Sequence, residues 1–455
     1  MVPYGVSPRP KFLENPLNKV GLFLASCLLL IAVSGCGGGT AVSTPNGYLY
    51  SASSFRPGSL AGYVVTTGAL AQILGTPFVT NGNAPYTLVV WPTPQQTPAA
   101  AVPGKFLYAG IPATAKGGVI TRLLGRTLTG AVTGGIMMVP INSEHTLGTP
   151  QMFATGGDYD PVAVAPTSGF LYAIDLTTNH LAAFSIDSSS GALTSIGPQG
   201  PPIGVAVGPD AFAVSVDPAG KFLFVANCDC VTNPQNHGSV SMFPINGDGT
   251  LTSIGNFVPN GVATAQPVAL AISLDSKFLF IAGLDNNVYV EGIANGSLVN
   301  MGSVALPAGS KPFSIAVSPD GNYVYSGNAG SQNVSFFLNC LQATPPTGCP
   351  AMSPPPLQTP SNNATTPASG TVGVILTDPT NPPVCTSTTT VNCTPTSVSG
   401  FLYVTDYDHG TVQAYSITSA NACTGVSTCT PGQLSQSGTA VNTGGGNPFG
   451  LTISQ

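Results

Sequence analysis

Small aliphatic residues, polar turns and aromatic runs follow one another in a pattern that recurs along most of the chain. Three segments, 213–227, 269–283 and 314–328, align residue by residue. Each starts with a small-aliphatic stretch, passes through a turn that contains Asp, and ends in an aromatic–aliphatic–aromatic run. Asp, Pro and Gly favour tight turns, while alternating aromatic and aliphatic residues favour strands. The pattern predicts an antiparallel hairpin as the basic unit.

Two further strands follow the hairpin, for example 240–245 and the Gly-x-Leu-Thr segment 249–253. Four strands in each repeat are typical of a β-propeller blade. The aromatic signature of the second strand occurs seven times, at 48–50, 106–108, 170–172, 222–224, 278–280, 323–325 and 401–403. The sequence therefore predicts an all-β, seven-bladed β-propeller of four-stranded antiparallel blades.

The two ends of the repeat region complement each other. The region begins at residue 47 with a second strand, whereas residues 447–454 have the pattern of a first strand without partners. Pairing of this C-terminal strand with the first blade would close the ring and remove exposed sheet edges. We expect residues 47–455 to form one domain, because one repeat cannot bury its apolar faces alone. Insertions at about 338–371 and 379–398 are expected on one face of it.

Residues 1–35 have the pattern of a lipoprotein signal peptide, with basic residues ahead of an apolar run at 20–33. That run is shorter than the roughly 20 apolar residues that a membrane-spanning helix needs. The junction Val33-Ser34-Gly35-Cys36 resembles a bacterial lipobox, in which the cysteine is lipidated and cleavage occurs just before it. The alternative is an ordinary cleavage site beside a coincidental cysteine. We expect 36–46 to tether an exported domain to the outer or cytoplasmic membrane of the bacterial cell envelope.

The chain carries few charges, since Asp, Glu, Lys and Arg make up only 6% of it. Loss of residues 1–35 would leave 8 basic against 16 acidic side chains. This acidic balance argues against nucleic acid as a partner. We expect a monomer with a neutral-polar surface, whose partners are the membrane, through its lipid anchor, and a small molecule or protein.

Eight cysteines of the mature chain fall into four local pairs. Short spacing in an exported chain is typical of disulfides that close surface loops. The predicted pairs are Cys340–Cys349, Cys385–Cys393 and Cys423–Cys429. Cys228 and Cys230 lie near His237, and these are residue types that bind zinc, yet they leave a four-coordinate site incomplete. A disulfide or free thiols are favoured there, and we expect neither a metal nor a cofactor.

Residues 216–227 and 317–325 resemble the blades of lactonase-type and YVTN-type seven-bladed propellers, and the resemblance extends over nearly all of the mature chain. It implies a 6-phosphogluconolactonase-like activity, the hydrolysis of a sugar lactone. A phosphorylated substrate needs basic side chains, and the mature chain has few: Arg56, Arg122, Arg126, Lys105, Lys116, Lys221, Lys277 and Lys311. An export signal also disagrees with cytoplasmic sugar-phosphate metabolism.

The connections between the second and third strands carry most of the scarce ionisable residues, on the face where propellers usually bind ligands. Asp and His there suit general-base chemistry, whereas Asp and Asn are also the residues that turns favour. The catalytic candidates are Asp175, His180, Asp406 and His409, and the ligand-binding candidates are Asp285 and Asn328.

The sequence lacks a Gly-x-Ser-x-Gly nucleophile motif. We therefore expect a module that binds a small neutral ligand or a protein partner. The alternative is a lactonase-like hydrolase of a sugar lactone, which would use an Asp or His of these connections as general base.

Overall fold

The inner strands of the structure, a computed structural model, form a closed ring. Each inner strand contacts the inner strands of two neighbours, in the order 448–454, 88–91, 159–164, 211–216, 267–272, 312–317, 372–377 and back to 448–454. The prediction of an all-β, seven-bladed propeller is therefore confirmed. The structure describes residues 47–53, 58–66, 69–80, 85–92, 105–112, 134–154, 157–165, 168–197, 204–230, 238–294, 296–350, 357–359, 366–367, 372–377, 398–420, 423, 429–444 and 448–454.

Several predictions lie outside the described residues. They concern the signal peptide, the tether with Cys36, the pair Cys385 and Cys393, and His237. Among the residues that are described, no helix is long and apolar enough to cross a membrane.

The first three blades contain strands β1 to β13, and blade 1 also receives the C-terminal strand β31 (Pro448–Ser454). Blade 1 has β1 (Gly47–Ser53), β2 (Ser59–Thr66), β3 (Ala69–Gln72) and β4 (Phe78–Val79); blade 2 has β5 (Leu88–Trp91), β6 (Phe106–Ile111), β7 (Gly135–Pro140) and β8 (Gln151–Phe153); blade 3 has β9 (Tyr159–Val164), β10 (Phe170–Asp175), β11 (His180–Ile186), β12 (Leu193–Ser195) and β13 (Val205–Ala206).

The last four blades contain strands β14 to β30. Blade 4 has β14 (Ala211–Val216), β15 (Phe222–Asn227), β16 (Ser239–Pro244) and β17 (Gly255–Phe257); blade 5 has β18 (Pro267–Ile272), β19 (Phe278–Gly283), β20 (Asn287–Ala294) and β21 (Ser297–Ala305); blade 6 has β22 (Pro312–Val317), β23 (Tyr323–Asn328), β24 (Asn333–Asn339), β25 (Leu357–Gln358) and β26 (Thr366–Pro367); blade 7 has β27 (Val372–Thr377), β28 (Val398–Asp406), β29 (Thr411–Thr418) and β30 (Leu434–Asn442). A 3-10 turn, Pro259–Gly261, links blades 4 and 5.

In each blade we name the strands A to D from the axis outward. The connections from B to C leave on one face, which we call the B–C face, and the A–B turns lie on the opposite face. Strands β25 and β26 lie inside the predicted insertion 338–371, and both pair with β24. The segment 379–397 falls in the A–B connection of blade 7, outside the described residues.

The A–B turns explain why the three aligned segments fold as hairpins. A side-chain oxygen at the end of strand A accepts the backbone N–H five residues later: Asp217 that of Phe222 at 2.6 Å, and Ser273 that of Phe278 at 2.9 Å. Ser318 makes the same bond in blade 6. These short polar side chains replace a backbone partner and hold the tight turn.

The C-terminal strand closes the ring as predicted. β31 pairs antiparallel with β1, from Tyr48 opposite Ser454 to Ser53 opposite Pro448. It is the inner strand of blade 1, so the first blade combines both ends of the domain. Leu451 and Ile453 of this strand are buried with side chains of blades 1 and 7.

A tyrosine of strand B locks several blades onto the next blade. Tyr108 of blade 2 donates to Gly191 O at 2.7 Å, and Tyr172 of blade 3 donates to Gly249 O at 3.0 Å. Both acceptors stand in the C–D turn of the following blade with positive φ. Two more locks of this kind are Tyr50 to His145 O at 2.9 Å and Tyr325 to Gly432 O at 2.8 Å.

The aromatic signature of strand B therefore has two functions in the fold. Its last residue donates the locking hydrogen bond, and its first residue packs against the acceptor turn of the next blade. Phe170 contacts Gly249 in this way, and the ring of Tyr48 stacks on His145, with centroids 3.5 Å apart. Trp91 is also a core residue, buried in the cluster between blades 2 and 3.

Candidate functional site

A β-bulge near the start of the inner strand recurs around the ring. The register between strands A and B shifts there in blades 1, 3, 4, 5, 6 and 7. A bulge adds one residue to one strand and can redirect its side chain. The additional residues in blades 4, 5 and 6 are Phe212, Val268 and Phe313. Tyr86 has the equivalent position in blade 2, where its N–H donates to Gly110 O.

These bulge residues meet at the centre of the ring. Phe212 and Phe313 belong to blades that are not neighbours, yet their rings make an edge-to-face contact with centroids 5.5 Å apart. Such a contact places both rings at the axis. We call the surrounding group the axial cluster; its members come from six blades and are Tyr86, Leu176, Phe212, Cys228, Cys230, Val268, Leu284, Phe313, Ala329 and Tyr407.

The side chains of the axial cluster differ from those that the sequence predicted at the B–C end of the channel. It includes the residue that directly follows strand B in several blades, such as Leu176, Cys228 and Leu284. The B–C end of the channel is consequently filled by apolar side chains, where the sequence predicted a ring of Asp, His and Asn. Their burial is a property of the assembled ring, because each blade contributes only one to three of them.

Asp160 brings a carboxyl group to this apolar centre. It lies in the bulged segment of blade 3, at the position that Phe212 has in blade 4, and is only 3% exposed. Its Oδ1 accepts a hydrogen bond from Thr87 Oγ1 of blade 2 at 2.8 Å. The same hydroxyl accepts the N–H of Val162 at 3.1 Å. Thr87 thus fixes the carboxyl group across the joint between two blades.

The pKa of Asp160 is shifted towards neutral pH. Burial raises the pKa of Asp160 to about 7; the hydrogen bonds from Thr87 oppose the rise, and the nearby charge of Asp158 adds to it. Desolvation disfavours the charged form of a carboxyl group, which is why burial acts in this direction. A group with such a pKa can accept and release protons near pH 7, as a general base or acid must.

A glycine in blade 2 allows the close approach that positions Asp160. A Cβ atom on Gly110 would stand 2.8 Å from Tyr159 O and 3.0 Å from Asp160 Oδ1. Beside it, Ile111 pairs with Tyr159, and this bridge joins blades 2 and 3 into one hydrogen-bonded sheet. A larger residue at position 110 would separate the two inner strands and withdraw the carboxyl group from Thr87.

Two more carboxyl groups belong to this part of blade 3: Asp158 acts on Asp160 through its charge, and Asp175 faces Tyr159, the residue before Asp160. Asp158 is 3% exposed, and Thr177 Oγ1 lies 3.5 Å from its Oδ2. Asp175, at the end of strand B, accepts the N–H of Thr177 at 2.8 Å. Burial, as the larger cause, and the charge of Asp175 raise the pKa of Tyr159 to about 12. We call Asp158, Asp160 and Asp175 the acidic corner of the axial cluster.

The structure places the candidates Asp175 and His180 at facing positions of β10 and β11. His180 Nδ1 lies 2.7 Å from Thr178 O, so its imidazole is bonded within its own turn. Asp175 belongs to the acidic corner, because it faces Tyr159, the neighbour of Asp160 in β9.

The second catalytic pair, Asp406 and His409, lies in blade 7. His409 Nδ1 is 2.8 Å from Asp406 Oδ2, and Asp406 Oδ1 accepts the N–H groups of Asp408 and His409 at 3.1 Å. Asp406 is 3% exposed, whereas the His409 side chain is 61% exposed. Asp406 therefore stabilises the turn that places Tyr407 in the axial cluster.

The ligand-binding candidates Asp285 and Asn328 are hydrogen-bonded within their own blades. Asp285 Oδ2 accepts hydrogen bonds from Asn287 Nδ2 at 2.8 Å and from the hydroxyl of Tyr289. Asn328 is 1% exposed, and its Nδ2 donates to Asn333 Oδ1 at 2.7 Å and to a serine of the same sheet. These bonds stiffen the ends of blades 5 and 6.

The cysteines described in the structure form disulfides. Cys340–Cys349 and Cys423–Cys429 lie in C–D connections, and Cys228–Cys230 lies in the axial cluster. Within the described part of the chain, no group of three or more His, Cys, Asp or Glu residues is arranged to hold a metal ion.

Sequence reasoning missed Asp158, Asp160 and Thr87. The signal for Asp160 was available in the repeat itself, because Asp160 stands where other inner strands have Phe212, Val268 or Phe313. An acidic residue at a position that blades 2, 4, 5 and 6 fill with the apolar side chains of the axial cluster indicates a special role. Recognising it requires the bulges to be aligned first.

The raised pKa of Asp160 predicts that the domain loses stability as the pH rises from about 4 to about 7. In this window the folded protein holds a proton that the unfolded chain has released, so the free energy of unfolding falls with pH. The loss can reach about 1.4 kcal/mol per pH unit. Urea unfolding at pH 5 and pH 8 should show a smaller pH effect in Asp160→Asn than in the wild type. An equal pH effect in both proteins would contradict this assignment.

The fold and the axial site together define a seven-bladed β-propeller with a buried carboxyl group at one end of its channel. The family model described as "Lactonase, 7-bladed beta-propeller" matches residues 123–337, which include this acidic corner. The protein thus resembles the lactonase-type propellers, as its blade motifs indicated.

Individual proteins agree with this resemblance. The chain is 26% identical to the 6-phosphogluconolactonase of Bacillus subtilis (strain 168) over 210 residues, which are 44% of this chain and 57% of that protein. The chain thus spans little more than half the length of this curated relative. Together with the family match, this similarity favours the lactonase-like alternative over the prediction of a binding module.

Solved structures support the fold over a larger share of the chain. The periplasmic gluconolactonase of Pseudomonas aeruginosa has a TM-score of 0.58 at 13% identity, covering 90% of this chain and 99% of that one. A Lactobacillus plantarum protein has a TM-score of 0.61 at 15% identity, covering 90% and 100%. At such low identity these likenesses show the propeller fold alone.

Proposed function

We propose that this propeller hydrolyses a sugar lactone, with Asp160 as the general base. The observation that carries the proposal is a buried carboxyl group of near-neutral pKa at the axial end of a lactonase-like propeller. Ionised Asp160 takes a proton from a water molecule while the water oxygen attacks the lactone carbonyl carbon. The ring C–O bond then breaks, the departing oxygen receives a proton, and the product is the open hydroxy acid.

Access to the carboxyl group sets a condition on this mechanism. Asp160 is 3% exposed, and Phe212 and Phe313 of the axial cluster are each 6% exposed. Part of the structure around Asp160 must therefore move to admit a substrate. Withdrawal from water strengthens the interactions of the charged groups that remain inside. Thr87 keeps Asp160 Oδ1 in place by its hydrogen bond during such a rearrangement.

The acidic corner favours an uncharged lactone over a phosphorylated one. Lys105, Lys221 and Lys277 directly precede B strands and so lie on the opposite face. Among the residues that the structure describes, Lys311 is the one basic side chain at the start of an inner strand, on the B–C face. The carboxylates of the acidic corner would repel a phosphate group, which binds basic donors. Arg56, Lys116, Arg122 and Arg126 stand in the B–C connections of blades 1 and 2, outside the described residues.

The test is hydrolysis of D-glucono-1,5-lactone and its 6-phosphate by the purified domain, corrected for spontaneous hydrolysis. We expect kcat/KM to be larger for the unphosphorylated lactone and to rise with pH through about 7, as Asp160 ionises. Asp160→Asn should lower it by about 10²-fold or more, the range of general-base effects. Asp187→Asn, an exposed change in the C–D turn of the same blade, is the matched control and should retain activity. No turnover above the spontaneous rate, or full activity of Asp160→Asn, would refute the proposal.

A second candidate function is binding without turnover, of a small neutral ligand or a protein partner. The closed aromatic centre favours it, because Phe212, Phe313 and Tyr407 offer apolar rings to a ligand and no nucleophile. Thermal stabilisation by a lactone that remains unhydrolysed would support this candidate and exclude the first.

We further propose that the domain is exported and anchored to the bacterial cell envelope through lipidated Cys36. Support comes from the sequence alone, since the lipobox pattern directly follows an apolar run. Cells expressing the full chain with labelled palmitate should yield a labelled protein, and Cys36→Ser should abolish the label. Equal labelling of both proteins would contradict the anchor. Cys27→Ser, a change inside the apolar run, is the matched control.

A further inference from the structure

The disulfide Cys228–Cys230 differs in position from the other two described disulfides. It lies in the B–C connection of blade 4, and both cysteines belong to the axial cluster. Cys228 is fully buried, whereas Cys230 is partly exposed. Cys340–Cys349 and Cys423–Cys429 close C–D turns on the opposite face. One disulfide therefore stands at the candidate site, and the others do not.

The backbone around this disulfide is held in an unfavourable conformation. Asp229, the single residue between the cysteines, has φ of 48°, and the facing Asp210 has φ of 49°. Left-handed backbone is disfavoured for residues with a Cβ atom, and least so for Asn and Asp. The two turns are joined by hydrogen bonds from Cys228 N to Asp210 O at 3.0 Å and from Asp229 N to Pro209 O at 3.4 Å. Opening the ring between the cysteines would let Asp229 leave this conformation.

The length of the loop gives a second argument for easy reduction. A disulfide stabilises a fold mainly by restricting the unfolded chain, and the effect grows with the number of residues enclosed. Cys228–Cys230 spans a sequence separation of 2, against 9 and 6 for the other pairs. It therefore restricts the unfolded chain least, while its oxidised form maintains a disfavoured backbone. Such disulfides are the labile or regulatory ones.

We propose that Cys228–Cys230 is a redox-active disulfide, a thiol–disulfide exchange site that reacts with a small thiol or dithiol reductant. The thiolate of the reductant attacks Cys230 Sγ, the S–S bond breaks, and Cys228 leaves as a thiolate that takes up a proton. A second thiol attacks the mixed disulfide, and Cys230 leaves and is protonated. The protein gains two electrons and two protons, and two thiols of the reductant become a disulfide.

Exchange at this site alters the centre of the propeller. Reduction replaces a covalent link inside the axial cluster by two thiols and releases the connection that carries Asp229. Phe212, two residues beyond Asp210 in the chain, packs in the same cluster. Whether or not the domain hydrolyses lactones, its axial end would then respond to the thiol–disulfide balance of its surroundings.

The test is a redox titration of the purified mature domain with graded ratios of reduced to oxidised dithiothreitol. After an acid quench, each cysteine pair is measured by differential alkylation and mass spectrometry. We expect half-reduction of Cys228–Cys230 at a ratio at least 10-fold lower than for Cys340–Cys349 or Cys423–Cys429, which are internal controls. Half-reduction at the same or a higher ratio than the controls would overturn the proposal.

A matched pair of variants tests the direction of attack. In Cys228→Ser the remaining Cys230 thiol should react with an aromatic disulfide reagent at least 10-fold faster than the Cys228 thiol does in Cys230→Ser. The reverse order would refute the assigned direction. The titration of the wild type decides the proposal if either variant fails to fold. A lack of lactone turnover would leave both results unchanged, so the two proposals fail separately.

Discussion

Deletion of residues 448–455 is expected to abolish cooperative unfolding of the domain. These residues include β31, the inner strand of blade 1, whose loss exposes the backbone of β1 from Tyr48 to Ser53. Leu451 and Ile453 are 7% and 5% exposed, and burial of each aliphatic side chain contributes about 1.5–3 kcal/mol. Their loss and that of the strand pairing together approach the 5–15 kcal/mol by which domains are typically stable. Calorimetry should show no sharp transition.

The control for this deletion restores the same residues with a different connection. A variant that carries 447–454 ahead of Gly47, through a flexible linker, should regain a cooperative transition, because β31 can again pair with β1. An unchanged transition in the deleted chain would contradict the role of β31 in closing the ring. Failure of the relocated strand to restore folding would show that its position in the chain, as well as its pairing, is needed.

Gly249→Ala is expected to destabilise the domain by about 2–5 kcal/mol. Gly249 has φ of 82°, which costs an L residue about 1–2 kcal/mol. Its new Cβ would stand 2.6 Å from the ring of Phe170 and 2.7 Å from Ile196, and overpacking of this kind costs about 1–3 kcal/mol. The change also disturbs the carbonyl that accepts the hydrogen bond of Tyr172. Urea unfolding measures the effect.

The same turn offers a matched control for this substitution. A Cβ atom on Gly247, which is exposed, would meet no neighbouring atom within 4 Å. Gly247→Ala should change the free energy of unfolding by less than about 0.5 kcal/mol, as surface substitutions usually do. Equal losses in the two variants would show that the turn tolerates no side chain at either position, and that contact with Phe170 is not the cause.

The fold could be predicted in detail because its determinants are local and repeated. The segments 222–224, 278–280 and 323–325 each begin a B strand, and the turn residues ahead of them cap that strand directly. Residues 447–454 were predicted as the closing strand because only an inner strand was missing from blade 1. Pairing of neighbouring strands is decided by alternation and turns, which a single sequence displays.

The site could be predicted only in part, because it is built from distant residues. Asp175, Asp406 and Asn328 were selected for their chemistry, and the structure shows them bonded within their own blades. The contact of Phe212 with Phe313 joins residues about 100 positions apart in the chain, through bulges that become visible in the sequence only after the inner strands of several blades are aligned. The burial of Asp160, and hence its raised pKa, arises where Thr87 and Gly110 of blade 2 meet the inner strand of blade 3, again through residues distant in the chain.

The tyrosine locks are distributed unevenly around the ring. Blades 4 and 5 have Phe224 and Phe280 at the locking position, so they lack the hydroxyl that Tyr172 donates from blade 3. The joints from blade 4 to 5 and from 5 to 6 therefore rely on packing alone at this position. They form one continuous arc, opposite the blade in which the two ends of the domain meet. We expect local opening of the ring to occur at these two joints. The closing strand β31 lies in blade 1, on the other side of the ring.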